Sequence, residues 1–117
     1  MWVVANHDAF DAEFDALSEE VQDELLAISG LLETYGPSLG RPHVDTLAGS
    51  RYANMKELRF NAAGGVWRVA FAFDPKRQAI LLVAADKSGI GQRRFYEGLI
   101  RKADKRFADH LKTQTET

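Results

Sequence analysis

The sequence predicts an α+β fold, an antiparallel sheet with helices packed against it, and three features carry that reading. Residues 55–86 hold three strand-like runs in succession, separated by turns containing Gly, Asp and Pro. Ahead of them stand two segments with apolar residues at helical spacing. Behind them a third segment repeats its apolar residues every four positions. A run of strands bracketed by amphipathic helices buries its faces only by layering helix on sheet.

The elements follow in order. Trp2 to Ala5 reads as a short first strand. Asp8 is placed as the N-cap of a helix with Phe10, Phe14 and Leu17 at helical spacing. Ser18 starts a second helix, in which Val21, Leu25, Ile28 and Leu32 form the apolar seam. Glu19 and Glu20 favour the positive end of its dipole, and Gly36-Pro37 stops it. Residues 38–54 lack periodicity and read as a loop, packed through Leu39, Val44 and Leu47.

Met55 to Phe60 is a strand with Lys56, Leu58 and Phe60 on one face and Met55, Glu57 and Arg59 on the other. Asn61 to Gly65 is a hairpin connection with glycine enough for positive φ. In the strand that follows, Trp67, Val69, Phe71 and Phe73 share a face, leaving Arg68, Ala70 and Ala72 opposite. After a turn at 74–78, Ala79 to Asp86 alternates Ile80, Leu82 and Ala84 with Leu81, Val83 and Ala85. A strand apolar on both faces is expected to be central. The last helix runs from about Gln92 to Leu111, with Phe95, Leu99, Ala103, Phe107 and Leu111 in line and Ile100 beside them. Arg93, Arg94, Arg101, Lys102, Lys105 and Arg106 are assigned to its outer face. Thr113 to Thr117 reads as a frayed, flexible tail. The order is β-α-α-β-β-β-α, a single domain over residues 1–112.

The composition, 45% hydrophobic and 27% charged over 117 residues, is that of an ordinary globular protein. With no cysteine, disulfides and thiolate zinc sites are excluded, in keeping with a reducing cytosol. The first residues are too short and too soon polar for a signal peptide, and no apolar run approaches a membrane span. A cytoplasmic protein with no membrane association is expected. Charge is unevenly placed: residues 1–40 hold nine acids and no Lys or Arg, whereas residues 41–117 hold all fifteen basic residues against eight acids. Such a chain can present one acidic face and one basic face, the latter attractive to a polyanion. Two solvated surfaces are the plainer alternative.

Arg68 is the sharpest single signal. A guanidinium beside two alanines is expected to have room for something flat and anionic, which makes it a phosphate candidate. A strand arginine paired with Glu57 or Asp86 is the competing reading.

Five pieces in order then carry a family resemblance: Glu57-Leu58-Arg59-Phe60, Gly64-Gly65 to Arg68, Phe73-Asp74-Pro75-Lys76-Arg77, Leu81-Leu82-Val83 before Asp86-Lys87-Ser88-Gly89, and a closing helix with Phe95 and Tyr96. From Trp2 to Leu111 the chain resembles the RelE/ParE superfamily of toxins from bacterial toxin–antitoxin pairs, nearest the phage-derived, HigB-like branch. The resemblance implies a RelE-like sheet, mixed at the N-terminal strand, with an N-terminal helical hairpin and a C-terminal helix. It implies a ribosome-dependent, metal-independent endoribonuclease that cuts messenger RNA without a cofactor and inhibits translation. A small helix-turn-helix, Xre-like antitoxin would neutralise it in a toxin–antitoxin hetero-oligomer. Because the ParE branch inhibits DNA gyrase on the same fold, that activity is one alternative, and a non-toxic RNA- or partner-binding module is another.

On that resemblance the catalytic candidates are Arg68, Lys87 and Arg59. Arg68 would stabilise charge on the phosphoryl group, and Lys87, exposed by a turn after the last strand, would act as acid or base. Arg59 would contact phosphate or the 2′-oxygen, or pair with Glu57. Lys56, Arg51, Tyr52, Arg93, Arg94, Arg101 and Lys105 are the candidates for RNA and ribosome contact, although Lys56 and Arg59 lie on opposite faces of a regular strand. Tyr96 reads as a base-stacking or packing residue, and a C-terminal tyrosine acid of the better-known RelE pattern is not evident. His43 reads as a surface histidine within reach of the site. His7 and His110 read as helix-end residues, and three separated histidines form no metal motif.

Overall fold

A computed structural model describes residues 1–115. Its first strand, β1 (Val3–Asn6), leads into α1 (Asp8–Ala16) and α2 (Glu19–Tyr35). The cap of α1 is His7 rather than Asp8, because the His7 Nδ1 accepts from the Ala9 N–H and leaves Asp8 free to begin the helix. Ser18 caps α2 as expected, its Oγ accepting from the Val21 N–H. Gly36 ends that helix at φ 54°, and a Cβ there would overlap the Trp2 indole, so glycine is required twice over.

The segment expected to be loop contains a short 3-10 turn, Gly36–Ser38, and a strand, β2 (Val44–Thr46). Three residues are too few to show a period, and β2 exists only through its pairing with the next strand. β3 (Met55–Ala62), β4 (Gly65–Phe73), β5 (Gln78–Asp86) and α3 (Gln92–Thr115) complete the chain. The order is therefore β-α-α-β-β-β-β-α. α3 extends beyond Leu111, so Thr113 to Thr115 are helical rather than tail; Glu116 and Thr117 lie outside the described residues.

The sheet runs β1-β5-β4-β3-β2, with β1 parallel to β5 and every other pair antiparallel. β5 is central, as its two apolar faces require. β3 and β4 are joined by a two-residue turn, Ala63-Gly64, both at positive φ, which suits the right-handed twist of a hairpin.

Each face of the sheet has its own core. The helical pair sets Phe10, Val21, Leu25 and Leu32 against Leu58, Val69, Phe71 and Leu81. α3 sets Phe95, Leu99, Ala103 and Phe107 against Met55, Ala70, Ala72, Ile80 and Leu82. The period-two reading of β3 and β4 matches these faces, but that of β5 fails halfway. Ala70 pairs with Val83 while Phe71 pairs with Leu81, so Leu82 is an extra, bulged residue. Beyond it the alternation inverts: Val83 and Ala85 join Ile80 and Leu82 on the α3 face, and Ala84 packs with the helical pair. No helix among the described residues is long and apolar enough to cross a membrane.

Candidate RNA-binding cleft

The bulge determines where the site forms. Without it Lys87 would fall on the helical-pair side of the sheet; with it, Lys87 follows Ala85 onto the α3 side. The loop that carries Lys87 is tied down where it leaves β5. The Lys87 N–H donates to the Val66 carbonyl at 2.8 Å, and Asp86 Oδ1 accepts from the backbone N–H groups of Val66 and Ser88. Those N–H groups of Ser88 and Val66 hold the Asp86 carboxyl below its ordinary range. Gly65 makes this approach possible, since a Cβ there would come 2.6 Å from Asp86 Oδ2.

On the α3 face, where β2, β3 and β4 meet, four charged residues form a checkerboard. Asp45 stands opposite Glu57, and Arg59 opposite Arg68. Like charges directly across a ladder repel, and the diagonals offset this: Arg59 lies 3.6 Å from Asp45 and Arg68 lies 3.7 Å from Glu57. Tyr96 reaches down from α3 into this array. The Arg68 Nε–H donates to Tyr96 Oη at 3.3 Å, and the Tyr96 O–H donates to Glu57 Oε1 at 2.9 Å. Burial raises the Glu57 carboxyl above its ordinary range against the Tyr96 hydrogen bond and the Arg68 charge. Burial likewise raises the Tyr96 phenol, with Arg68 opposing and Glu57 reinforcing the shift.

Arg68 thus departs from the expectation of an open guanidinium. Its side chain is 7% exposed, and its Nη1 also donates to the Trp67 carbonyl. The small alanines beside it do not leave a gap, because α3 packs over them and Tyr96 covers the arginine itself.

The space above this array is a cleft of about 1010 Å³ between the sheet edge and the first half of α3. Arg59 and Lys87 line it, as do Arg93 and Arg101, which the sequence puts on the outer face of α3, and Tyr96, which the sequence reads as base-stacking or packing. Arg41 and Glu57, not among the expected RNA contacts, line it too. The Lys87 Nζ sits 5.8 Å from the centre of the Tyr96 ring, within cation–π reach. Asp45 receives Arg41 at 2.7 Å, and that hydrogen bond is the main reason its carboxyl lies below the ordinary range.

Other expected residues fall elsewhere. Lys56 is on the opposite face of β3, with Leu58 and Phe60. Tyr52 is edge-on to Phe107 at 5.0 Å, and the Arg51 guanidinium lies over Tyr52, so both belong to the packing of the loop before β3. Arg94 and Lys105 are exposed on α3 but do not line the cleft. Arg106 turns inward, where it binds both carboxylate oxygens of Glu13 and the Leu82 carbonyl. His110 is not at a helix end: its ring is parallel to Phe107, and its Nε2–H donates to Asp74. The signal for Tyr96 was present in its spacing, four residues before Ile100 and beside the buried stripe, which places it on the flank of α3 that faces the sheet.

A family model described as phage-derived protein Gp49-like matches residues 12–108. A protein of Mycobacterium tuberculosis (strain ATCC 25618 / H37Rv) named "Putative toxin HigB2" is 44% identical over 108 residues, which is 92% of this chain and 53% of that protein. The chain therefore spans about half the length of that relative. A second protein of the same organism, "Putative toxin HigB3", is 45% identical over 101 residues, 86% of each chain. No solved structure matches.

Proposed function

The chain belongs to the phage-derived Gp49-like, HigB-like toxin family, and from that membership we propose that it is an endoribonuclease that cuts messenger RNA on the ribosome. A cognate antitoxin holds it inactive, and an Xre-like, helix-turn-helix protein is the partner expected for this branch. The observation that carries this reading is the cleft, where cations from the β2–β3 edge, the loop after β5 and α3 surround one tyrosine held between an arginine and a buried carboxylate.

Such a site suits attack by the substrate's own 2′-hydroxyl. The 2′-oxygen bonds to phosphorus as the bond to the 5′-oxygen breaks, leaving a 2′,3′-cyclic phosphate and a 5′-hydroxyl. Tyr96 Oη, accepting from Arg68 and donating to Glu57, takes the 2′-proton as it passes its own to Glu57. Arg68, Arg59 and Lys87 are the catalytic candidates. Arg59 and Lys87 line the cleft and neutralise charge gathering on the phosphoryl oxygens, and a protonated Lys87 is the donor for the departing 5′-oxygen. Arg68 contributes its charge from beneath and holds Tyr96 in place. Arg93 and Arg101 guide the strand along the cleft; Arg94 and Lys105 extend the basic surface toward the ribosome. Lys56, Arg51 and Tyr52 lie outside the cleft and have no part in this chemistry.

Induction of the gene alone, with pulse labelling and mapping of messenger 5′ ends, tests the proposal. Protein synthesis is expected to stop before DNA synthesis, with new 5′-hydroxyl ends inside coding regions. DNA synthesis failing first while translation continues would instead support a gyrase inhibitor of the ParE type.

A further inference from the structure

Beside the cleft, with Arg41 and Arg59 as the shared wall, lies a second pocket of about 360 Å³ lined by Arg41, Pro42, Arg59, Phe60, Asn61 and Arg68. Three arginines and an exposed asparagine stand in its lining, and no acidic residue does. The cleft differs in this respect, since Asp45, Glu57 and Glu97 stand among its cations.

The donors around the pocket are largely unused. A guanidinium has five N–H groups. Arg68 commits Nε to Tyr96 and one Nη1 proton to the Trp67 carbonyl, and its Nη2 has no hydrogen bond among the described residues. The Arg59 guanidinium makes no hydrogen bond among them at all, only the 3.6 Å ion pair with Asp45. Arg68 is held almost fully buried, so its orientation is set before any ligand arrives.

We propose that this pocket is a phosphodiester subsite, which holds the RNA backbone at a nucleotide next to the one that reacts. The inference rests on the endoribonuclease reading and extends it. Planar guanidinium forks match pairs of phosphate oxygens, and exposed Pro42 in the lining supplies an apolar surface for a ribose. Because Arg41 and Arg59 line both spaces, a strand lying in the cleft passes into the pocket without leaving the protein surface. Asp45 is the stand-in for phosphate in the free protein. It binds Arg41 at 2.7 Å and Arg59 at 3.6 Å through one oxygen, from the cleft side, and an incoming phosphate competes with it for both arginines.

Inorganic phosphate and a 2′-O-methylated RNA trinucleotide, which the proposed reaction cannot cut, are the probes, used on the intact protein by NMR. Phosphate is expected to shift the Asn61 carboxamide and the Arg59 and Arg68 Nε–H resonances to saturation, and the trinucleotide to displace it. Asn61→Asp places a carboxylate in the pocket at an exposed position and is expected to weaken both ligands about tenfold or more. Asp45→Asn releases Arg41 and Arg59 and is expected to tighten both about two- to fivefold. Opposite signs from two neighbouring substitutions are not expected of arginines with a merely structural role. Unshifted resonances, shifts that survive Asn61→Asp, or weaker binding in both variants would overturn the subsite. Phosphate that the trinucleotide fails to displace would overturn its assignment to RNA. None of these readouts needs turnover: uncut messenger with the shifts intact removes the endoribonuclease reading, whereas cut messenger without them removes the subsite.

Discussion

Tyr96 joins α3 to the charged array on the sheet, and its hydroxyl hydrogen-bonds both Arg68 and Glu57 there. Tyr96→Phe keeps the ring against Phe95 and removes only the hydroxyl. Cleavage of messenger on purified ribosomes is expected to fall about 10²- to 10³-fold, with the thermal unfolding midpoint near that of the parent. Arg59→Ala is expected to act as strongly, with partial recovery in Arg59→Lys, where the charge returns without the fork. The pH profile bears on the same group. In the proposed reaction Glu57 would accept the relayed proton only when ionised, and burial raises its carboxyl above the ordinary value of 4.5. The rate is therefore expected to rise with pH through a value above the usual glutamate range. That rising limb should disappear in Glu57→Gln.

At the scale of elements, α3 is fastened to the rest of the fold by polar contacts as well as by its apolar stripe, and His110 and Arg106 carry two of these. Near its C-terminal end, Asp74 accepts from the backbone N–H groups of Lys76 and Gln78 and from the side chains of Gln78, His110 and Gln114. One helical turn earlier, Arg106 spans to Glu13 of α1 and to the Leu82 carbonyl, so it links both helical layers to the bulge in β5. Arg106→Met keeps the apolar stem and removes these bonds. The expected loss is about 1–3 kcal/mol in denaturant unfolding, toward the lower end because the Glu13 side chain is 41% exposed and can rehydrate. The hydrogen bond from Arg106 lowers the Glu13 carboxyl below its ordinary range. Its share of stability is thus present above the unfolded glutamate value and lost as pH falls through the lowered folded one. Unfolding measured across that acidic window should be flatter for Arg106→Met than for the parent.

Across the whole molecule, the uneven charge of the sequence becomes two opposed surfaces. The acidic helical pair covers one face of the sheet, while α3 and the cleft occupy the other. Ribosomal RNA would repel the first and attract the second, which leaves the helical pair as a structural back or an antitoxin contact. Reversal of Arg93, Arg94 and Arg101 to Glu is expected to weaken ribosome co-sedimentation strongly. Its salt dependence should flatten as well, by about two to three in the log–log slope if each arginine meets one phosphate. Unchanged binding by that triple variant would reduce the basic helix to a solvated surface.

What the sequence determined by itself was whatever repeats locally. The seam of α2, the stripe of α3, the faces of β3 and β4, and the central position of β5 all follow from residues two, three or four apart. Arg59 and Lys87 were legible as site candidates from their strand positions, but their gathering with Arg93 and Arg101 in one cleft was not, since helical spacing put both helix arginines on the outer face. The tertiary structure decided what depends on residues far apart in the chain. β2 is a strand only because β3 pairs with it. The extra residue at Leu82 is visible only in the register between β4 and β5, and it alone turns Lys87 toward α3. Arg106 looks like one more outward cation until Glu13, ninety-three positions earlier, is brought beside it. Arg68 looks open until Tyr96 closes over it. A period reports which face a side chain occupies, whereas its partner on that face is chosen by the packing of distant elements, and a site made of such partners forms only when the chain has folded.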